Sequence, residues 1–398
     1  MKTFSDFNFK GKIVLLRTDI NSDIIHGKAL ESERIKPASK TISYLLKNEA
    51  RVIVIAHQGN PGKSDFLSLK QHAKFLNKYV KIKFIPDVIG RRAEKAIKEL
   101  KPKEAILLDN IRLEEDEFQP YKKKNKILKF FLPKIDIYVN DAFSVCHREH
   151  TSIVSFPKYK PSYAGILLEK EISALKKISI KNCLYILGGA KPEDNIKLFK
   201  KRKKIIVGGI FGQMCLIAEN HNLGKNNERE NKSTVKNYDE IIKKLKKKLK
   251  SLKIITPIDY AVEINNKRKE FSLKDFPTKY IIYDIGKKTQ EKFIEEIKKA
   301  KAIYMKGPLG FASKNNFSEG TFKILRAIAK SPAFSLIGGG HLSDAIKVSK
   351  IPESNFSHIS LSGGALLNYI AGEKLAGLKA LNLHALQQII RPVNQLKK

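Results

Sequence analysis

The chain has 398 residues, 42% of them hydrophobic, and 77 Lys and Arg against 40 Asp and Glu give a formal charge of +37. That length suits about two domains, and no apolar run reaches the ~18–20 residues of a membrane span. Three cysteines (Cys146, Cys183, Cys215) fit neither a disulfide framework nor a spaced metal site, and Met1-Lys-Thr-Phe starts no secretory signal, so a soluble cytoplasmic protein with reduced thiols is expected.

In chain order, strand candidates come first: "KIVLLRT", "RVIVIAH", "KFIPDV", "AILLDN" and "IDIYVNDAF". Between them "SKTISYLLKN", "SLKQHAKFLNKYV" and "GRRAEKAIKELK" carry apolar residues at helical spacing. Strands alternating with helices predict a parallel sheet covered on both faces. Residues 164–179, "AGILLEKEISALKKIS", read as one long helix. The alternation then restarts with "CLYILGGA", "KIIVGGI", "KIITPIDYAVE", "YIIYDIG", "AIYMKGPLG", "FSLIGGG" and "SHISLSGGA". Residues 224–237, "GKNNERENKSTVKN", are polar and breaker-rich and read as a surface loop. In "IIKKLKKKLKSL", 241–252, Ile241, Ile242, Leu245, Leu249 and Leu252 form one helical stripe and lysines fill the rest. Such a helix needs no nucleic acid to explain its charge. The fold class is therefore α/β, with two Rossmann-like domains, each a parallel sheet flanked by helices, joined by a long helix and hinge.

The two halves end their strands differently. In the second half apolar runs stop at Gly188-Gly189, Gly208-Gly209, Gly307-Pro308-Leu309-Gly310, Gly338-Gly339-Gly340 and Gly363-Gly364. Ligands of open α/β sheets bind beyond the carboxyl ends of strands. Glycine there lets backbone N–H groups and helix N-termini face an anion. Five such turns point to a phosphate-bearing nucleotide, although neither GxxxxGK[ST] nor a well-placed GxGxxG occurs. In the first half the ends carry side chains instead: "RTDIN" with Arg17, Asp19 and Asn21, "AHQGN" with His57 and Asn60, "DNIRL" with Arg112, and "NDAFSVCHREH" with Asp141, His147, Arg148 and His150. Arg34 follows in "ESERI". Guanidinium forks suit carboxylate and phosphate, so this half reads as a pocket for a small acidic metabolite.

"RTDIN", "ESERI", "AHQGNPG", "DNIRLEE", "VNDAFSVCHREHTS", "AGILLEKE", "ILGGAK", "DIGKKT", "KGPLG", "IGGGH" and "SHISLSGGALL" together resemble phosphoglycerate kinase from about residue 12 to residue 382. The "AHQG" and "GGGH" variants look like the archaeal branch. The resemblance implies reversible phosphoryl transfer between 1,3-bisphosphoglycerate and ADP, giving 3-phosphoglycerate and ATP with Mg²⁺. It implies a substrate domain over 1–163 to which 380–398 return, an interdomain helix over 164–179, and a nucleotide domain over 180–379. It assigns Arg34 and Lys191 to the migrating phosphoryl group. It assigns Asp19, Asn21, His57, Asn60, Arg112 and Arg148 to the glycerate. Lys191, Gly208, Gly307, Pro308, Gly338, Gly339, Gly340 and His341 fall to the nucleotide. No side chain is assigned to a metal, since a neutral imidazole at His341 is a poor Mg²⁺ ligand and the nucleotide supplies most of that ion's coordination. His341 remains either a helix cap or a phosphate contact. His147 and His150 are candidates for orienting Arg148. Asp19 is expected to hold a hydroxyl or an arginine rather than a phosphate.

Several positions depart from the family pattern. Asn60 stands where arginine is expected, Lys306 where asparagine is, Asn195 where a second lysine is that archaeal forms do not all carry, and Ser313 where glutamate is. In "SHISLSGGA", Leu361-Ser362 replace Thr-Gly. These leave two other readings open: a degenerate member that binds without useful turnover, and a basic nucleic-acid-binding protein on the same fold. Either a monomer or a homodimer is compatible with the sequence.

Overall fold

A computed structural model describes residues 7–178, 183–199, 204–312, 314 and 316–381. By internal contacts the chain divides into two compact units, 1–173 with 372–398, and 174–371. The division falls inside the helix Ile166–Ile178.

The first unit runs β1 (Ile13–Arg17), a hairpin of β2 (Ile24–Ile25) and β3 (Lys28–Ala29), then β4 (Arg51–Ile55), β5 (Lys83–Ile85), β6 (Ala105–Leu108), β7 (Ile137–Asn140) and β8 (Ser162–Ala164). Six strands form one parallel sheet in the order β5-β6-β4-β1-β7-β8. Side chains alternate across a strand, and here both sets are buried. Val14, Leu16, Val52, Val54 and Val139 enter one core; Leu15, Ile53, Ile55 and Tyr138 enter the other. That is why these strands read as unbroken apolar runs. The helix Ala376–Ala380 belongs to this unit, and its Ala376 and Ala380 pack on Val145, Ile153 and Val154. Residues 382–398 lie outside the described residues.

The second unit runs β9 (Cys183–Leu187), β10 (Lys204–Val207), β11 (Ile254–Ile255), β12 (Asp259–Ile264), β13 (Lys267–Ser272), β14 (Ile282–Ile285), β15 (Ala302–Lys306), β16 (Phe334–Gly338) and β17 (His358–Ser360). Six of them make a second parallel sheet, β11-β10-β9-β15-β16-β17. All five glycine turns follow its strands. The α/β class with two parallel sheets agrees with the sequence reading.

Two segments differ from that reading. "KIITPIDYAVE" is split, and its second part pairs antiparallel with β13 and β14 in a separate three-stranded sheet. Tyr260, Val262, Ile282 and Ile285 of that small sheet join the unit's main core. The supposed loop 224–237 contains the helix Lys225–Thr234. Its low intrinsic preference is overridden by two buried asparagines a helical turn apart. Asn227 Nδ2 donates to the carbonyls of Leu223 at 2.8 Å and Tyr280 at 3.0 Å, and its Oδ1 accepts from Ile282 N–H at 2.8 Å. Asn231 Nδ2 donates to Gln213 Oε1 at 3.1 Å. The helix Tyr238–Leu249 does bury Tyr238, Ile241 and Leu245 and leaves its lysines on the solvent side.

Candidate active site

In the first unit β1 ends on Arg17, which is fully buried. A guanidinium cannot shed its charge on entering a core, so partners must meet it. Nε donates to Ser152 Oγ at 2.9 Å, Nη1 donates to the Thr18 carbonyl at 2.6 Å, and Nη2 lies 3.1 Å from His57 Nδ1. Ser152 Oγ donates onward to the fully buried Glu117 carboxylate at 2.6 Å, and Ser152 N–H donates to the same group at 2.9 Å. Because Arg17 is donor only, His57 Nδ1 must accept, which leaves the His57 proton on Nε2. Burial, then the charges of Arg17 and Arg112, hold the His57 imidazole neutral, with its pKa far below the usual value.

Arg112 comes from the short turn after β6. Its Nη1 donates to the Gly59 carbonyl and to Asn60 Oδ1, the latter at 3.0 Å. Its Nε and Nη2 are buried without a protein hydrogen-bond partner. Burial, then the repulsion of Arg17 and Arg148, pulls its pKa down to about 10. His150 is pushed down to about 3 by burial and the same arginines, and His147 is lowered by burial and Arg148. His150 Nδ1 lies 3.7 Å from Glu117 Oε1. Arg148 itself is exposed. The result is a cluster of guanidinium groups and neutral imidazoles, opposed mainly by Glu117 and Asp19. Such a fixed positive excess favours a polyanionic occupant.

Asp19 and Arg34 form the second part of this cluster. Arg34 Nε sits 3.1 Å from Asp19 Oδ2, and Arg34 Nη1 donates to the Asn21 carbonyl at 3.1 Å. Asp19 also accepts from Ser144 Oγ, and from Asn21 N–H at 3.2 Å. Asn21 Oδ1 accepts from Gly59 N–H at 2.9 Å, tying the loop after β1 to the loop after β4. Asp19, Asn21, Arg34, Asn60 and Arg112 are thus linked through hydrogen bonds and the Asp19–Arg34 ion pair by way of Gly59. Asp141 is used differently: its Oδ1 accepts from Leu167 N–H at 2.8 Å and Leu168 N–H at 3.2 Å, capping the helix Ile166–Ile178.

In the second unit much of the glycine backbone is bonded within the protein. Several of the glycine N–H groups are already bonded: Gly188 to Lys306 O, Gly189 to Pro308 O, Gly208 to Leu187 O and Gly209 to Leu309 O, at 2.7 to 3.0 Å, and Gly339 to Ser360 O at 3.5 Å. Their absent side chains instead let the turns interlock. A Cβ on Gly188 would overlap the Pro308 carbonyl oxygen, and one on Gly307 would overlap that of Gly188. Gly339, at φ +105° just before the helix Gly340–Ser349, has free space where a Cβ would be, as does Gly363. Beside these turns lies a cleft of about 680 Å³, in the range of small-molecule sites. Gly189, Gly209 and Pro308 line it on the turn side, Asn227 and Asn231 on the helix misread as a loop, and Asp344 on the helix after Gly339. Of the residues assigned to the nucleotide from sequence, Pro308 alone lines this cleft; Gly208 and Gly307 adjoin it in sequence. The side chain of His341, and Ser313, lie outside the described residues. Lys191 precedes the helix Pro192–Lys197, and Lys306 ends β15.

Sequence reasoning placed Arg17 among the strand-end side chains but gave it no role, and it did not name Glu117, Ser144 or Ser152. Arg17 had a signal: an arginine closing the apolar run "KIVLL" sits where a sheet interior demands partners.

The phosphoglycerate kinase family model matches residues 4–373. A phosphoglycerate kinase of Sulfurisphaera tokodaii is 38% identical over 96% of this chain and 96% of its own length. One of Methanopyrus kandleri is 35% identical over 96% and 97%. The crystal structure of phosphoglycerate kinase from Pyrococcus horikoshii superposes with a TM-score of 0.83 at 35% identity, covering 97% of this chain and 99% of that one. Sheets, arginine-bearing strand ends and glycine turns all fall within a match that runs nearly end to end, and the chain belongs to the phosphoglycerate kinase family.

Proposed function

We propose that the protein moves a phosphoryl group reversibly between the acyl phosphate of 1,3-bisphosphoglycerate and ADP, forming 3-phosphoglycerate and ATP, as a cytoplasmic enzyme. The observation that carries this reading is the first unit's buried cationic cluster, above all the unpartnered Nε and Nη2 of Arg112. A buried donor without a partner is costly, and a phosphorylated acid would supply its acceptors. Arg112, Arg148, the Nε2–H of His57, Asn21 and Asn60 are read as the glycerate pocket, with Asp19 holding Arg34 in place. Arg34 and Lys191 are read as the cations on the phosphoryl group in transit. Phosphoryl transfer asks the protein mainly for in-line positioning and neutralised oxygens. Arginine and lysine on rigid strand ends meet that demand without moving a proton.

The nucleotide is assigned to the second unit, its nucleoside in the 680 Å³ cleft and its phosphates at the Gly338–Gly340 turn and helix N-terminus. Gly208, Gly307 and Pro308 shape that floor, and His341 stands on the first turn of the same helix. No group of three or more His, Cys, Asp or Glu that could cage a metal occurs among the described residues. The donor set therefore does not fit a protein-built Mg²⁺ cage, and the phosphate oxygens of the nucleotide would supply most of that ion's coordination. No helix among the described residues is long and apolar enough to cross a membrane.

A coupled assay with ATP and 3-phosphoglycerate tests the reading. Turnover by the wild type, with kcat reduced by ~10-fold or more in Arg34→Ala as a charge-assisted contact is lost, is expected. No turnover in a folded wild type would leave a binding protein instead.

A further inference from the structure

Two departures from the family pattern, Lys306 for asparagine and Asn195 for lysine, stand 111 positions apart in the chain, yet they touch. Lys306 Nζ donates to Asn195 Oδ1 at 3.1 Å. Lys306 closes β15 opposite Leu187 of β9, and Gly188 follows Leu187 directly. Asn195, itself fully buried, donates from Nδ2 to the Gly188 carbonyl at 2.9 Å. In the pattern that the chain resembles, the two positions carry the same two residue types the other way round.

Lys306 is poorly explained as a structural ion pair. Its ammonium is largely enclosed, with the side chain 17% exposed, and its nearest carboxylate, Asp194, is at 3.4 Å and 34% exposed. Burial, the dominant influence, lowers its pKa despite Asp194, and Lys191 adds repulsion. A lysine whose partner does not offset its desolvation gains from a further anion. It sits at the carboxyl end of a central strand, between the glycine turns after β9 and β16, where ligands of such sheets bind.

We infer that Lys306 is a second phosphate-binding cation, acting beside Lys191 on the terminal phosphate of the bound nucleotide, and that Asn195 is the residue that positions it. The inference rests on the nucleotide assignment above. Lys306 puts a cation at the end of β15, where the resembled pattern has an asparagine. An asparagine in the helix then serves two purposes, fixing the Gly188 turn and aiming the ammonium. By this account the departures at Lys306 and Asn195 are one compensated change and do not mark degeneracy.

The test is the reciprocal exchange. Lys306→Asn is compared with wild type and with the double variant Asn195→Lys/Lys306→Asn, each first checked by thermal unfolding. Lys306→Met serves if Lys306→Asn does not fold. The expected result is a ~10–100-fold fall in kcat/KM for nucleotide in Lys306→Asn, the effect of removing one charge-assisted contact, with most of it regained in the double variant. By calorimetry ADP should bind Lys306→Asn more weakly while adenosine binds both alike, since only the former carries the phosphates. Kinetics and ADP affinity equal to wild type would overturn the inference, as would equal weakening for adenosine and ADP. Failure of the kinase reading itself looks different: a wild type without turnover still allows the ADP-against-adenosine comparison to decide the role of Lys306.

Discussion

Replacing Asp19 by asparagine isolates how Arg34 is held. The carboxylate has three partners, Arg34 Nε at 3.1 Å, Ser144 Oγ, and Asn21 N–H at 3.2 Å. An amide keeps the size and one acceptor oxygen but loses the charge and turns one oxygen into a donor. Asp19 is 9% and Arg34 28% exposed in their side chains, so the pair is partly screened. A buried charge-assisted bond is worth ~1.5–3 kcal/mol and an exposed pair ~0–1 kcal/mol; an intermediate ~1–2 kcal/mol corresponds to a ~5–30-fold fall in rate. Arg34 keeps its bond to the Asn21 carbonyl, so its position is loosened, not lost. The assay is steady-state kinetics of Asp19→Asn, Arg34→Ala and the double variant in the ATP-forming direction. kcat should fall in Asp19→Asn with little change in KM for nucleotide. The double variant should be no slower than Arg34→Ala alone, because Asp19 acts through Arg34. Additive losses in the double variant, or unchanged kcat in Asp19→Asn beside a slow Arg34→Ala, would refute this reasoning.

Two further outcomes follow from packing and burial. Gly188→Ala forces a Cβ against the Pro308 carbonyl oxygen and parts the interlocked turns, so it should cost ~1–3 kcal/mol, seen as a lower urea midpoint, together with weaker nucleotide binding. An unchanged midpoint counts against the interlock. Asp141 is buried, which lifts its pKa to about 7, against ~3.9 in an unfolded chain. The folded state therefore favours the protonated form; its contribution to stability is complete below pH ~4 and is lost as pH rises towards 7. Asp141→Asn retains an acceptor for the Leu167 and Leu168 N–H groups and cannot titrate. Relative to this variant the wild type should lose up to ~4 kcal/mol across that window, measured by urea unfolding at successive pH values. A constant difference between the two proteins would contradict the assignment.

The parts that were legible share a cause. Strands such as Ile13–Arg17 and Cys183–Leu187 are buried on both faces, so they read as plain apolar runs bounded by turn residues, and the glycine-bearing ends marked one edge of the second sheet. What could not be read depends on partners distant in sequence. An apolar run such as "YIIYDIG" carries no mark of whether its neighbour runs parallel or antiparallel; β12 decides that. The helix Lys225–Thr234 has a composition suited to a loop, and the acceptors that hold Asn227 and Asn231 lie at Leu223, Tyr280 and Gln213. The glycine turns were located from sequence, but their interlocking needed the spatial adjacency of β9, β10 and β15.

The same adjacency changes how departures from a family pattern should be weighed. Position by position, Asn60 looks like a lost cation at the glycerate site. In place, its Oδ1 accepts from Arg112 Nη1 at 3.0 Å, an orientation that a second guanidinium at residue 60 could not provide because it has no acceptor. Restoring arginine there would add a like charge beside a guanidinium whose pKa burial has already lowered, so the substitution is not simply a gain. Lys306 and Asn195 follow the same logic in the second unit. Each looks like a defect alone, and their direct contact makes them a pair. A site built from strand ends is a set of short distances between remote residues, and its integrity is a property of those pairs.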